Sequence, residues 1–341
     1  MTNIRNRIKN LKKVKVIDQK DLFEFDHLTD DEISLYENFY SFFYKLLDKY
    51  SDKHQLKPIH FYIDNYRFCS ASATFSKGNY FMKISCAYPK MISEKFSRMS
   101  IFDKPQLSAK YKSLIEQKDF NANQYLTTCS MTFTFHHEFR HLIQSDGKEF
   151  EFSENTLNKF DFDRHLHEFD ADRIGSRMVM DYVFDVYEKL EYKTKQNLED
   201  LFFIALGSIL ITFLLYYFKV MDQNGQITFT EIDDTFYLKE KTHPHTLIRL
   251  ANIIEFYSDN IQENYGLNIS FVNFLKYPFE ITNLYFSELF GQNSKLPNAI
   301  YQYFEQFDKN LDDINEYNKQ LFDGVMEHKT LSKIIAENNV L

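Results

Sequence analysis

The sequence is poor in the residues that make turns and disulfides. Its 341 residues include no Trp, eight Gly, six Pro and three Cys, and no cysteine stands in a Cys-x-x-Cys pair. A sparse, odd set of cysteines does not form a disulfide framework, and a reducing compartment suits it. The scarcity of Gly and Pro beside 36 Phe and 23 Tyr favours long helices over a β-sandwich.

The chain also lacks a surplus of positive charge, since 49 Asp and Glu outnumber 40 Lys and Arg and the net charge is -9. This balance argues against nucleic acid as a partner, because domains that bind it usually carry a basic surplus. The N-terminus is a local exception, where basic residues surround a helical face of Ile4, Ile8 and Leu11. We expect a solvated helix or a frayed terminus there, with contact to an acidic membrane surface as the alternative. No apolar segment follows it, so we expect no signal peptide and a cytoplasmic location.

Hydrophobic periodicity predicts an α+β fold that is mostly helical. Four helices are expected, over 29–50, about 121–143, about 163–190, and from His243-Pro244 to about 256. Three extended segments are expected, over 59–66, 68–75 and 79–86. The last two should form a β-hairpin, because the turn-like sequence Ser76-Lys77-Gly78-Asn79 joins them.

One short motif suggests metal chemistry. Residues 135–141 read Phe-His-His-Glu-Phe-Arg-His and contain the pattern HExxH. On a helix, His137 and His141 lie one turn apart on the same face, so both can reach one metal ion. Glu138 lies at the edge of that face, where it can take a proton from a water molecule that the metal polarises. The motif therefore predicts a zinc site with Glu138 as general base.

A third metal ligand must come from elsewhere in the chain. Gln144 and Gly147 stand where the metzincin pattern needs Gly and His, so that class is excluded. Glu168 and Asp172, four residues apart in Glu-Phe-Asp-Ala-Asp, can share one helix face. Glu168 is the expected ligand, and Asp172 can accept a hydrogen bond from a ligand imidazole. A solvated acidic helix start is the alternative, and His165 and His167 are rival ligands.

A third conspicuous segment follows, reading Thr-His-Pro-His-Thr-Leu-Ile-Arg over residues 242–249. Peptide hydrolysis passes through a tetrahedral oxyanion that needs positioned hydrogen-bond donors. His243 and Arg249 are candidates for this task. The alternative is a capped surface helix that happens to carry an Arg.

These three elements, in this order, resemble the minigluzincin metallopeptidases, which include the HtpX and CAAX-prenyl endopeptidase type and the phage-exclusion (Lit-type) peptidases. The shared pattern is HExxH, then ExxAD, then His-Pro with Arg six residues after the His. The chain reads His-Glu-Phe-Arg-His, Glu-Phe-Asp-Ala-Asp and His-Pro-His-Thr-Leu-Ile-Arg at these places. The resemblance covers about residues 58–257.

The resemblance implies a role for each of these residues. It makes His137, His141 and Glu168 the ligands of one zinc ion, Glu138 the base and Asp172 the support of a ligand. His243 and Arg249 become helpers at the oxyanion. It also implies that the second strand of the hairpin, over 79–86, is a sheet edge that binds extended substrate by backbone pairing through Tyr80, Met82 and Ile84.

The chain departs from the membrane family in two respects. Ser70-Ala71 or Ser72-Ala73 stands where that family has Asn-Ala in the hairpin, and the family's several membrane spans are missing. Both departures favour a likeness to the phage-exclusion type. That likeness implies a zinc endopeptidase that acts on a protein or peptide substrate, in a defence or toxin-like role. Residues 1–57 are then an N-terminal helical extension, 58–257 the core, and 258–341 a C-terminal helical region.

Residues 201–218 form an uncharged apolar run that is just long enough to span a bilayer. A span there would place the metal ligands and the His-Pro segment on opposite sides of a membrane. We therefore expect a core helix. A membrane-associated quality-control peptidase is one alternative. A non-catalytic protein is another, in which His136, His165, His167 or His245 closes the zinc site as a fourth ligand.

Overall fold

A computed structural model of the chain describes residues 8–13, 17–95, 101–148, 150–153, 159–223, 226–229, 236–291 and 305–337. The fold is α+β and mostly helical, as the periodicity predicts. The longer helices are α1 (Asp30–Tyr50), α2 (Ala122–Gln144), α3 (Phe162–Tyr187), α4 (Lys195–Tyr217), α5 (Thr246–Tyr265), α6 (Phe271–Phe290), α7 (Leu311–Glu327) and α8 (Lys329–Glu337). Shorter helical segments are Gln19–Asp21, Ala87–Pro89, Lys90–Lys95, Ile101–Asp103, Pro105–Lys110 and Lys112–Ile115.

A four-stranded mixed sheet packs against α2. Its strands are β1 (Ile59–Asp64), β2 (Ala71–Ser76), β3 (Asn79–Ser85) and β4 (Phe150–Ser153), in the order β1-β3-β2-β4. β1 pairs parallel with β3, whereas β2 pairs antiparallel with both β3 and β4. A separate two-stranded sheet joins β5 (Met221–Gln223) to β6 (Gln226–Thr228).

The predicted hairpin is confirmed as β2 and β3. Lys77 and Gly78 form its turn with φ angles of 48° and 75°. Two successive left-handed residues match the twist of a two-residue hairpin, and glycine adopts that conformation without a steric penalty.

The prediction that β3 is a sheet edge is wrong. β3 is an inner strand, because β1 pairs with one of its sides and β2 with the other. Its backbone groups are therefore already hydrogen-bonded within the sheet, and Met82 and Ile84 are buried. Tyr80, Met82 and Ile84 accordingly do not form an edge for substrate. The outer strands are β1 and β4.

The first helix begins as the sequence predicts. Thr29 caps α1 by accepting from the backbone of Glu32, while the Glu32 side chain accepts from the backbone of Thr29. This reciprocal pair satisfies two backbone donors that the helix itself leaves open. Along α1, one face that includes Tyr36, Phe39 and Phe43 is buried.

The N-terminal segment is less solvated than the sequence indicates. Ile8 is buried in the main core, and Leu11 is buried in a small cluster with Leu22 and Tyr62. Packing within the protein thus covers the apolar face that the sequence left open to solvent or a membrane. Ile4 lies outside the described residues.

The apolar run forms a core helix, as expected. α4 is the one described helix that is long and apolar enough to span a membrane. However, 94% of its apolar 18-residue stretch is buried inside the protein. Close packing on α6 contributes to this burial, since a Cβ at Gly207 would lie 3.2 Å from Ile281. The main core around α4 runs from Ile8 to Leu331 and so includes parts of all three predicted regions.

Two close approaches bring the three motifs together. α2 and α3 pack so tightly that a Cβ at Gly175 would lie 3.0 Å from the Phe133 ring. α5 packs against α3 and brings the His-Pro segment to the same region. α5 begins at Thr246 rather than at His243-Pro244, because His245 is its cap and accepts a hydrogen bond from the backbone of Leu247.

Candidate metal centre

The structure brings together two helix motifs that lie about thirty residues apart in the sequence. His137 and His141 project from α2, and Glu168 projects from α3. One possible ligand atom from each residue lies within 4.8 Å of the other two, and all three residues are buried. This group could hold a metal ion.

The separations within the group match the coordination sphere of a small metal ion. His137 Nε2 lies 3.1 Å from His141 Nε2 and 3.4 Å from Glu168 Oε2, and His141 Nε2 lies 3.4 Å from Glu168 Oε1. Tetrahedral ligands at about 2.0–2.1 Å from zinc would lie roughly 3.3 Å apart. In addition, Glu168 Oε2 is buried and lies 3.4 Å from both His137 Nε2 and Arg249 Nη2. The donor set and its spacing therefore fit a zinc ion.

The rival ligands on α3 are engaged elsewhere. His165 contacts the carbonyl of Lys241 through Nε2 at 2.8 Å and the hydroxyl of Tyr317 through Nδ1 at 2.9 Å. His167 Nδ1 lies 2.6 Å from the carbonyl of Asp163. Neither belongs to the three-residue group, so Glu168 is the third member that the structure supports.

The other histidines that might have closed the site also lie outside the group. His136 packs edge-on against Tyr50, and burial together with the positive charge of Lys49 lowers the pKa of His136 to about 3. His245 caps α5 through its contact with Leu247. Among the described residues, the group has three members, which is the number typical of a catalytic zinc site.

Asp172 and Arg249 form a buried pair beside His137. His137 Nδ1 lies 3.0 Å from Asp172 Oδ1, a separation that favours a proton on Nδ1 and leaves the Nε2 lone pair directed at the group. Arg249 donates two hydrogen bonds of 2.8 Å to the same carboxylate, and its guanidinium stacks on Phe213 at 4.3 Å. Arg249 Nη2 also lies 3.4 Å from Glu168 Oε2. Asp172 thus links the His-Pro helix to the metal group.

A second chain of hydrogen bonds supports His141. Gln144 Nε2 donates to Asp170 Oδ2 at 2.7 Å, so Gln144 Oε1 is the acceptor 2.7 Å from His141 Nδ1. This arrangement places the proton of His141 on Nδ1 and frees Nε2 for a metal. Arg140 then holds Asp170 with two hydrogen bonds of 2.6 and 3.0 Å.

Sequence reasoning missed Arg140, Gln144 and Asp170 as parts of the site. Arg140 and Gln144 lie on α2 beside the ligand His141, and Asp170 lies two residues after Glu168. The available signal was three polar residues that each follow an apolar residue in a helical motif, namely Phe139, Ile143 and Phe169. Such residues are expected to pair with one another, because an unpaired buried charge is costly.

Charge in the metal-free group is unevenly distributed. Burial opposes ionisation of Glu168, but electrostatic interactions with His243, His141 and Arg249 hold its pKa well below the usual range. Burial would lower the pKa of His137, but hydrogen bonding to Asp172 and Glu168 raises it to about 10. Burial lowers the pKa of His141. One carboxylate and one cationic imidazole thus face each other where a metal would bind.

The other predicted catalytic residues lie close by. Glu138 directly follows His137 on α2, and His243 Nε2 lies 3.4 Å from Glu168 Oε1. Glu138, His243 and Arg249 are all buried.

No family model, curated protein or solved structure matches this chain. The function is therefore inferred from the side chains of the site.

Proposed function

We propose that the protein is a zinc-dependent endopeptidase that hydrolyses a protein or peptide substrate. The observation that carries this proposal is the meeting of His137, His141 and Glu168 at the spacing of tetrahedral zinc ligands, with Glu138 beside them on α2. Two imidazoles and one carboxylate are the ligand set of several zinc peptidases. Three ligands would also leave a position open for catalysis. Manganese or cobalt could use the same ligands in vitro.

A bound zinc ion would act as a Lewis acid that polarises a peptide carbonyl and makes water more acidic. The Glu138 carboxylate would take a proton from the attacking water and then deliver it to the nitrogen of the leaving amine. General acid–base catalysis of this kind contributes about 10²- to 10⁴-fold to the rate. Asp172 and Gln144 would hold the two ligand imidazoles in the tautomer that directs Nε2 towards the group.

His243 and Arg249 would have different tasks. The imidazole of His243 would donate a hydrogen bond to the developing oxyanion, because its Nε2 already lies at the edge of the group. Arg249 directs two donors at Asp172 and so would act chiefly by fixing that carboxylate. Its contact with Glu168 would also keep the third ligand in place.

Burial of the whole group supports activity that is held in check until the site opens. A peptidase of this kind suits the defence or toxin-like role that the resemblance implies. Water exclusion would strengthen the electrostatic interactions within the closed site.

The direct test is hydrolysis by the purified full chain of an unstructured protein substrate, with and without a zinc chelator. We expect new peptide termini in mass spectra, loss of cleavage after chelation, and recovery when zinc is restored. Cleavage that persists after complete removal of metal would contradict a zinc peptidase. A fully zinc-loaded chain that cleaves none of a broad peptide library, both as purified and after mild denaturant has opened the buried group, would also contradict it.

The raised pKa of His137 leads to a prediction about zinc binding and pH. With a pKa of about 10, His137 carries a proton on both ring nitrogens at neutral pH in the metal-free protein, and a metal at Nε2 must displace one of these two protons. Because the pKa of His141 is lowered, that residue adds no further proton. We expect zinc binding at about pH 8 to release about one proton, and the apparent affinity to rise about tenfold per pH unit between about pH 7 and 9.

Titration calorimetry in two buffers of different protonation enthalpy measures this release. An apparent affinity that is unchanged over that pH range would show that zinc does not compete with the proton on His137.

A further inference from the structure

The described segment that carries His243, residues 236–245, belongs to no helix or strand. It lies between β6 and α5. Such a segment lacks the regular backbone hydrogen bonds of a helix or strand, so its position depends on contacts with neighbouring elements. The C-terminal helix α7 packs against both α3 and α5, and it supplies several of these contacts.

The main contact runs from α7 to this segment through His165 of α3. The ring of His165 lies between the Tyr317 hydroxyl, 2.9 Å from Nδ1, and the Lys241 carbonyl, 2.8 Å from Nε2. A carbonyl oxygen only accepts, so Nε2 carries the proton. Burial lowers the pKa of His165 to about 4, so the ring is neutral and Nδ1 accepts a hydrogen bond from the hydroxyl. Tyr317 thus fixes the tautomer with which His165 holds the backbone two residues before His243.

His165 belongs to the face of α3 that carries the third member of the metal group. Residues three or four apart are neighbours on a helix face, so His165, Glu168 and Asp172 form one row. His165 and Tyr317 are 0% and 2% exposed. Hydrogen bonds between fully buried groups are strong and favour a single geometry. One face of α3 therefore positions both Glu168 and, through His165, the backbone that leads to His243.

Further contacts join α7 to the chain on both sides of His243. On the N-terminal side, Lys239 Nζ lies 5.1 Å from the centre of the Tyr317 ring, within the range of a cation–π interaction. On the C-terminal side, Asn318 Nδ2 donates to the carbonyl of Ile248 at 3.3 Å. α7 therefore contacts the chain four residues before His243 and five residues after it.

We propose that His165 and Tyr317 are positioning residues for His243. Tyr317 orients the imidazole of His165, and this imidazole holds the Lys241 carbonyl, so that His243 Nε2 stays at the edge of the metal group. The inference rests on the proposed peptidase function, because His243 stabilises an oxyanion only in that function. It gives the C-terminal helical region a task at the site, which the metal group alone does not require.

The test uses variants of the full chain that remove single contacts. Tyr317→Phe removes the hydroxyl, and His165→Leu removes both ring nitrogens. His165→Gln is the conservative variant, because its amide offers one donor and one acceptor in their place. Tyr257→Phe is the matched control, since it removes another buried hydroxyl, which donates to the Ser176 carbonyl of α3 at 3.1 Å.

The first measurement is hydrogen exchange of the backbone amides of residues 241–243 in the folded chain, and it does not depend on activity. We expect exchange to rise about two- to tenfold in Tyr317→Phe, the effect of one lost hydrogen bond, and further in His165→Leu. His165→Gln and Tyr257→Phe should exchange there at nearly the wild-type rate. Tyr317→Phe, the mildest change, decides alone if His165→Leu does not fold. Unchanged exchange in Tyr317→Phe would overturn the inference.

The second measurement is peptide turnover at equal zinc content. We expect the turnover number to fall about tenfold in Tyr317→Phe and about 10²-fold in His165→Leu with little change in KM, because a misplaced donor weakens chiefly the transition state. His165→Gln should recover most of this loss. Neither substitution should lower turnover further once His243→Ala is present, since both act through His243. Additive losses in the double variants would indicate a general structural effect and overturn the inference.

The two measurements separate this inference from the proposed function. A wild-type chain that cleaves no peptide, although exchange of residues 241–243 depends on Tyr317, would count against the peptidase alone. A wild-type chain that cleaves peptide, with neither exchange nor turnover changed in Tyr317→Phe and His165→Leu, would count against the positioning residues alone.

Discussion

Glu138→Gln should abolish peptide hydrolysis while the protein keeps its zinc. The substitution preserves the size of the side chain but removes the carboxylate that takes the proton from water. We expect the turnover number to fall about 10²- to 10⁴-fold, the contribution usual for a positioned general base. His137, His141 and Glu168 stay in place, so zinc content should remain at the wild-type level. Turnover at saturating peptide and elemental analysis measure the two quantities.

The matched control is Glu255→Gln, which changes an exposed glutamate on α5. It should alter neither turnover nor zinc content. If Glu138→Gln turned over peptide at the wild-type rate, another group would have to accept the proton. Loss of zinc from the folded variant would instead mean that Glu138 helps to hold the metal.

Asp172→Ala should weaken both the fold and the metal site. Asp172 is buried, accepts two hydrogen bonds from Arg249, and lies 3.0 Å from His137 Nδ1. Its removal leaves a buried guanidinium without its principal partner, which typically costs about 3–5 kcal/mol in the free energy of unfolding. Loss of the support for a ligand imidazole typically lowers metal affinity by about 10- to 100-fold. Urea unfolding of the metal-free protein and zinc competition with a chelating dye measure these effects.

Asp172→Asn tests the charge of this side chain apart from its shape, and Asp185→Ala is the matched control. Asp172→Asn keeps the volume and one acceptor for His137, so its zinc affinity should exceed that of Asp172→Ala. Asp185→Ala removes an exposed carboxylate from the same helix and should change the free energy of unfolding by less than about 0.5 kcal/mol. Equal stability of Asp172→Ala and wild type would show that the pair with Arg249 contributes little.

The grouping of His137, His141 and Glu168 was the most predictable part of the candidate site, because much of its geometry is local. His137 and His141 share a face through helix periodicity alone, and so do Glu168 and Asp172. The helices that carry these pairs have clear caps, at Asn121 for α2 and at Asp161 for α3. The grouping of His137, His141 and Glu168 in the structure follows once α2 and α3 pack together.

The order of the strands could not be predicted from the sequence, because it depends on pairing between segments that are far apart in the chain. The sequence predicts three extended segments, but a parallel partner has no local signal comparable to a hairpin turn. β1 could lie beside either strand of the hairpin, and it lies beside β3. β4, which covers the outer side of β2, is four residues long and falls in a polar stretch. The inner position of β3 follows because β1 and β2 lie on its two sides.

The partner of Arg249 could not be predicted from the sequence either. An Arg is expected both near an oxyanion and beside a carboxylate. The residue type alone therefore does not tell which of the two groups Arg249 contacts. The packing of α5 on α3 places Arg249 on Asp172, 77 residues away in the chain. Arg140 and Gln144 are similar cases, because their partner Asp170 belongs to a different helix.

The most direct test of the proposed metal site is the zinc content of the folded wild-type chain beside Glu168→Ala and His167→Ala. The two variants remove possible ligands one residue apart on α3, and circular dichroism checks that each is folded. We predict about one zinc per chain in the wild type and in His167→Ala, and loss of zinc in Glu168→Ala. Zinc retained in Glu168→Ala, or none in the folded wild type, would contradict the site formed by His137, His141 and Glu168.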